Sequence, residues 1–511
     1  MIKATVFPAE EWLFPDSSGG EDSIAVSCPS NSFACWQMVI HAKGTVRISA
    51  DNLDGLQIYR LLPVTVNRNS AFIEELDTEH TLLEDLPRYY IKKAPFEVYD
   101  AMLPLKDMSV LADGDTALYF KWPSGQKAGN HLGEIRLTMA NEHCLIPYQI
   151  QVFSAAVPEK GRFNMINWIE MNPKKYGCTA FSQEYWEKLT EILKLARMAR
   201  QNFCNVSANY FQCSFDGRYR FDFSRVEKFL SICFSLGFDK IEGPSLKQIY
   251  EGLMMPFEEK EFGTPECIPP IEQFLEQWYQ FLKQNHYEGI TYQHIYDEPR
   301  EKNVAFYRKL GESVHRHMPE IPTLDAVLSL HTEDAADILI PTTRFYQLHK
   351  DVFEQYRKNG KKLWLYTCCW PSAPYLNRFL DMPLLDVRLI HWLNFLTDCD
   401  GYLHWGFCFH PDVQDQWKEP SIPFKIFDDS LEQYLPPGDT NIIYPYQGKP
   451  LGSVRLEMQR AGVEDFELLS QISDRERALQ IVRKCINKDF TGNRPLFREA
   501  YLELLDCLSE I

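Results

Sequence analysis

Between residues 162 and 411 the sequence repeats one rhythm: a short apolar run, a loop, then a stretch of helical periodicity. The runs fall at 163–169, 203–209, 238–242, 289–296, 321–327, 337–341, 362–367 and 401–407. Short β-type runs alternating with helical stretches in this way are the pattern of a parallel sheet with crossover helices. Eight is the number that closes a (β/α)8 TIM-type barrel, a fold whose reactive groups gather on the loops after the strands. Helices fit between most of the runs. One is announced by Ser224 and Glu227, spaced as a capping box, and closes near Gly237. Another covers 352–358 and stops at Gly360.

The flanks read differently. From 23 to 158 there are only short β-type runs, at 35–40, 45–49, 117–122, 134–138 and 146–153, punctuated by turn residues. That pattern predicts an antiparallel β-sandwich, left through a linker at 157–161. Beyond about 412 the chain is loop-rich until 451, and helical periodicity returns at 464–471 and 475–484. The expected organisation is multi-domain: a sandwich over 1–158, a barrel over 162–411, and a small C-terminal extension over 412–511 capping the barrel. A chain of 511 residues exceeds the single-core limit of about 250–300, so several domains are required.

Composition narrows the partners. A formal net charge of −18 repels nucleic-acid backbones and anionic membranes, so neither is expected. A neutral, hydroxyl-rich ligand is compatible with it, and 11 Trp and 25 Tyr supply flat faces for such a ligand as readily as core volume. Residues 1–20 lack the basic start, apolar core and small-residue cleavage site of a secretory signal, and no later stretch offers about 18 uncharged apolar residues. The 14 cysteines show no C-x-x-C spacing. Scattered through apparent core elements, they suit reduced thiols and a cytoplasmic location.

The fourth run ends in Tyr296-Asp297-Glu298-Pro299. Side chains alternate faces only while a chain stays extended, so two acids at a strand exit can turn toward one cleft. Pro299 stops the strand and steers Glu298 away from the helical region. The alternative is an acidic pair that merely opens the next helix. Adjacent carboxylates push their titrations apart, which suits one for holding a proton and the other for staying charged.

Four pieces of sequence carry a resemblance to a known family. They are Tyr296-Asp297-Glu298-Pro299, the apolar strand Leu363-Trp364-Leu365-Tyr366-Thr367-Cys368-Cys369, the strand Asp400-Gly401-Tyr402-Leu403-His404-Trp405-Gly406, and a tail. The tail comprises Ser453-Val454-Arg455-Leu456-Glu457-Met458 and Gly462-Val463-Glu464-Asp465-Phe466-Glu467. Together they resemble glycoside hydrolase family 123, and Lys127 to Ile135 looks like that family's last sandwich hairpins. The resemblance implies a β-N-acetylgalactosaminidase-like enzyme acting by retaining hydrolysis, in which the substrate's own 2-acetamido carbonyl attacks the anomeric carbon. Substrate-assisted enzymes of this kind depart from the two-carboxylate scheme. By that resemblance Asp297 orients the acetamido N–H and stabilises the oxazolinium intermediate, while Glu298 protonates the leaving oxygen and then activates water.

Further candidates come from strand exits, each with a bland reading beside the functional one. Trp405 is either a floor under a sugar ring or a core tryptophan at the end of the eighth strand, beside His404. Trp370 has the same two readings as a wall. Tyr366 and Tyr346 either donate a hydroxyl to the acetamido carbonyl or are satisfied core tyrosines. Asn209 and Tyr210, leaving the second strand, bond ring hydroxyls or cap a loop. Cys368, Cys369, His404, Cys408 and His410 raise the question of zinc, but adjacent cysteines on a strand point to opposite faces, and no metal or other cofactor is expected. Nothing marks Cys408 as an activated nucleophile, and no phosphate-binding glycine loop is present. The expectation is a cofactor-free glycoside hydrolase taking terminal β-linked N-acetylhexosamine, GalNAc first. Its rivals are a non-catalytic glycan-binding protein on the same fold, and a glycosidase pairing Glu298 with a remote carboxylate such as Glu242 or Asp325.

Overall fold

The computed structural model describes residues 2–70, 90–258, 260–423 and 434–509. Contacts divide the chain into two compact units: Met1–Phe163 with Ser372–Thr397 and His410–Ile511, and Asn164–Pro371 with Asp398–Phe409. Among the described residues no helix is long and apolar enough to cross a membrane.

The first unit is built on β1 (Lys3–Pro8), β2 (Ile24–Ser30), β3 (Phe33–Ala50), β4 (Gln57–Val66), β5 (Phe96–Pro104), β6 (Ser109–Pro123), β7 (Gly129–Met139) and β8 (Glu142–Ala156). These form one sheet in the order β2-β8-β7-β3-β6-β4-β5, with β1 also paired to β3. All pairs are antiparallel except β2 with β8. The two-sheet sandwich read from the sequence is therefore corrected to a single folded sheet. The reason lies in the runs 35–40 and 45–49, which are not two strands but one of 18 residues. Gly44, at φ 128°, carries the chain through without a turn. Along one edge β3 pairs with β6 from Phe33 to Arg47, while its other edge passes from β1 to β7. Ile24 of β2 and Ile58 of β4 belong to opposite ends of the strand order yet share one core with Trp36, Met38 and Phe120, so the sheet curls on itself.

The opposite face, with Val39 and Tyr119, packs against Leu384, Val387, Val454 and Met458. Helix Val454–Leu469, capped by Ser453, is buried along its whole length. Its charges are matched inside: Arg455 with Asp100 at 2.9 Å, Glu457 with Lys121 at 2.6 Å, and Asp465 with Arg388 at 2.6 Å. The compact units are thus drawn differently from consecutive domains at 1–158, 162–411 and 412–511, because apolar side chains of 372–397 and 454–469 face the N-terminal sheet. Part of the loop-rich stretch after 412, residues 424–433, lies outside the described residues.

In the second unit all eight runs contain strands: β9 (Asn164–Asn167), β10 (Phe203–Asn205), then, after a hairpin of β11 (Gln212–Phe215) and β12 (Tyr219–Asp222), β13 (Lys240–Gly243), β14 (Thr291–His294), β15 (Thr323–Val327), β16 (Ile338–Pro341), β17 (Lys362–Leu363) with β18 (Leu365–Tyr366), and β19 (Gly401–His404). The pairing is parallel throughout, in the orders β10-β13-β14-β15-β16-β17 and β18-β19-β9. β17 and β18 are one segment divided at Trp364, whose amide still bonds Leu339 at 3.1 Å. Gly401 sits opposite that indole, where a Cβ would lie 2.2 Å from the ring. The ladder does not form a closed ring: between β9 and β10 side chains stand in, with Asn202 Oδ1 accepting from the Met165 amide at 2.9 Å and Gln201 Oε1 accepting from the Asn167 amide at 3.2 Å.

Helices Gln183–Met198, Ser224–Ser235, Ile268–Gln284 and Val304–His317 follow successive strands, but no helix separates β15 from β16. The capping box at Ser224 is not made. Ser224 is the first helical residue and its amide donates to Asp222 Oδ1 at 2.8 Å, so the acid two residues upstream satisfies a free amide at the helix start. The helix after β16, Lys350–Lys358, does end before Gly360, which adopts φ 93°.

Candidate active site

The site is assembled where β14 stops. The apolar run continues to Tyr296, but the strand ends at His294 because the next amides leave the ladder for a side chain. Asp325, fully buried on β15, accepts the Tyr296 amide on Oδ2 and the Asp297 amide on Oδ1, each at 2.8 Å. The Glu298 amide then donates to the Ala326 carbonyl at 2.9 Å. Held this way, Asp297 and Glu298 adopt φ values of 87° and 52°. Left-handed backbone is costly for residues with a Cβ, and such strain persists only where surrounding bonds enforce it. Two successive residues there aim both carboxyls out of the strand's pleat, and both side chains are half-buried.

Behind this turn lies a second layer of charge. His294 Nε2 is 3.1 Å from Asp325 Oδ1, and its Nδ1 is 3.5 Å from Glu242 Oε1. Glu242, fully buried on β13, also accepts from Trp168 Nε1 at 3.1 Å and from Asn205 Nδ2 at 2.9 Å. The Trp168 and His294 rings are 5.4 Å apart, tilted by 33°. On the other side Tyr366, at the end of β18, donates its hydroxyl to Glu298 Oε1 at 2.6 Å.

These surroundings set the protonation of the pair. Burial and the neighbouring Glu298 push Asp297 up to about 7, against the pull of His294 and Lys247. Burial also raises Glu298, while the Tyr366 hydroxyl and Arg300 hold it back. Burial alone would lower His294, but Asp325, Glu242 and Asp297 carry it up to about 9. Two acids that both resist ionisation, beside a ring that retains its proton, form an arrangement able to give and take one proton near neutral pH.

Of the residues anticipated from sequence, the structure brings together Asp297, Glu298 and Tyr366. The others occupy different surroundings. Tyr210 is a core residue, stacked on Phe229 at 4.6 Å, and neighbouring Asn209 is exposed on a short 3-10 turn. Tyr346 is buried and donates to Glu354 Oε1 at 2.6 Å on the following helix. His404 is fully buried and its Nδ1 accepts the Gly406 amide at 3.0 Å, which makes it a loop-holding residue rather than an open contact. Trp370 is buried, whereas Trp405 is half-buried against Phe409 at 5.3 Å. Burial raises the Cys408 thiol, with Glu170 adding to it, so it is not an activated nucleophile. Glu242 and Asp325 have both oxygens engaged and no exposure, so neither is open to a sugar here. His294, Asn205 and Trp168 were missed. Asn205 and His294 end their strands and Trp168 follows one, and that position was the signal available.

The profile of the glycoside hydrolase 123 catalytic domain matches residues 170–472, more than half of the chain. The protein belongs to glycoside hydrolase family 123. Its fold agrees with that of a family 123 glycoside hydrolase from Clostridium perfringens, described in terms of glycolipid glycan hydrolysis, at a TM-score of 0.75 and 13% identity over 100% of this chain and 98% of that one. A family 39 glycoside hydrolase from Bacteroides cellulosilyticus WH2 aligns at a TM-score of 0.41 and 9% identity, over 88% of this chain and 82% of that one. No curated protein matches the sequence. Membership in a glycoside hydrolase family points to a carbohydrate substrate, and the acid pair lies inside the matched region.

Proposed function

We propose that this family 123 protein removes terminal β-linked N-acetylhexosamine, GalNAc in the first place, by a retaining, substrate-assisted reaction. The observation that carries the reading is the adjacent pair itself: Asp297 and Glu298 stand together in a left-handed turn, while the two carboxylates behind them are tied up by backbone amides, indole, amide and imidazole donors. In this reading, as the family resemblance implies, Glu298 handles the proton and Asp297 the developing charge, so the pair leaves no carboxylate for the part of protein nucleophile in the two-carboxylate scheme. The attacking oxygen then has to come from the substrate, and a 2-acetamido group held against the anomeric carbon supplies it at high effective concentration. The family 123 enzyme from Clostridium perfringens, described in terms of glycolipid glycan hydrolysis, acts on a glycan, as this reading requires.

In this reading the eight parallel segments act as one barrel with the pair at the exit of the fourth strand, and Trp405 offers a ring face to the sugar. The acetamido N–H donates to Asp297. That bond favours the ionised form of Asp297 and leaves the pair's proton on Glu298. With Oε1 occupied by Tyr366, Glu298 Oε2 delivers the proton to the leaving oxygen as the acetamido carbonyl closes on C1. Asp297 stabilises the resulting oxazolinium, and Glu298 takes a proton from the water that opens it. The test is turnover of aryl β-GalNAc against aryl β-galactoside by wild type and Glu298→Gln. Wild type cleaves the first and leaves the second intact; equal cleavage of both, or full activity in Glu298→Gln, overturns the proposal.

A further inference from the structure

The buried group His294-Asp325-Glu242 makes no direct contribution to the chemistry described above, yet through Asp325 it holds the amides of Tyr296 and Asp297 in the turn that does. Both ring nitrogens of His294 face a carboxylate, Asp325 at 3.1 Å and Glu242 at 3.5 Å. A neutral imidazole has one donor and one acceptor, so one carboxylate would meet a lone pair. The doubly protonated ring offers an N–H to both sides. Each carboxylate is in turn saturated. Asp325 receives the ring and the amides of Tyr296 and Asp297, and Glu242 faces the ring and receives Trp168 and Asn205. Trp168 lies over the ring and closes it from water.

We propose that His294 and Asp325 are positioning residues: Asp325 fixes the left-handed turn through its two amides, and the His294 cation, locked in place by Glu242, favours the ionised form of Asp297. The inference rests on the glycosidase reading of the pair, and it deepens that reading by saying why one of two touching carboxylates can ionise. The groups facing Asp297 are Glu298 on the same turn, His294 on β14, Asp325 on β15 and Lys247 on the helix after β13. Two are acids and two are bases, and Lys247 stands over the Tyr296 ring at 5.6 Å. Those facing His294 are Asp325, Glu242 and Asp297, all acids. Removing the ring's charge therefore takes from Asp297 a cation that offsets the acids Glu298 and Asp325.

Two measurements test this. The first needs no activity: nitrogen NMR of protein labelled at histidine, with the His294 signals assigned by their loss in His294→Gln. Both ring nitrogens should show the cationic form through pH 8. A neutral, single-tautomer ring at pH 7 overturns the proposal, whatever the enzyme hydrolyses. The second is the pH profile of kcat on an aryl β-GalNAc substrate. His294→Gln should move the acidic limb, where Asp297 ionises, up by about one pH unit, and lower kcat about tenfold or more with little change in KM. An unmoved limb in an active variant refutes the positioning role and leaves the hydrolase reading standing. Should His294→Gln fail to fold, Glu242→Gln decides: losing the carboxylate beside Nδ1 must lower the pH at which the ring gives up its second proton by about one unit or more. A ring that titrates as in wild type contradicts the clamp.

Discussion

Replacing Asp297 with Asn should stabilise the protein, and by an amount that depends on pH. Asp297 is raised from an ordinary 3.8 to about 7 by burial and by Glu298. Across that interval the folded chain keeps a proton that the unfolded chain has released, so wild-type stability falls as pH rises from about 4 to about 7 and is level above it. Asn carries no charge and removes the fall. Asn also tolerates left-handed backbone, so the φ of 87° adds no new penalty. About three pH units at about 1.4 kcal/mol each amount to about 4 kcal/mol, and solvent contact at the half-buried carboxyl reduces this to about 2 kcal/mol. For a unit of this size that corresponds to a Tm higher by about 4–8 °C at pH 8, with no difference at pH 4. Thermal scans of both proteins across that range measure it. An Asn variant that is less stable at pH 8, or one shifted equally at both pH values, would refute the electrostatic account of the pair.

The remaining expectations touch single contacts. Tyr366→Phe removes the hydroxyl that holds Glu298 down, so Glu298 stays protonated to higher pH and the descending limb of the kcat profile should move up; a downward move contradicts the assigned hydrogen bond. Glu298→Gln should slow substrates with poor leaving groups by about 10²–10⁴ and activated ones far less, which a series of aryl glycosides of graded leaving-group pKa will read directly. Asp100→Ala strands the fully buried Arg455 guanidinium beneath the N-terminal sheet and should cost about 3–5 kcal/mol in denaturant unfolding; a loss below about 1 kcal/mol would show that the pair is not sealed from water.

Much of the architecture was legible because it rests on patterns that sequence displays openly. All eight runs read in the second unit contain strands, because short β-type runs alternating with helical stretches show openly along the chain. The acid pair was legible because two carboxylates and a proline at the end of such a run have few structural uses. What failed to show was anything decided by contacts distant in sequence. Nothing local says that residues 35–49 form one strand, because Gly44 reads as a turn until β6 is seen running past it. His294 and Asn205 lie inside the runs 289–296 and 203–209, where nothing local sets them apart, and their roles exist only through Asp325 and Glu242 on neighbouring strands. The tail was recognisable for the opposite reason. Its charges at 455, 457 and 465 are committed to buried partners, so the spacing of charge along a helix that is otherwise core carries information.

The central claim is that the substrate, not the protein, provides the nucleophile. The most direct measurement is the anomer released in the first moments of hydrolysis of an aryl β-GalNAc, followed by proton NMR before mutarotation, together with mass spectrometry of the quenched enzyme. The account predicts β product first and a protein of unchanged mass at every time point. An α product, or a sugar ester on any Asp or Glu, would contradict it.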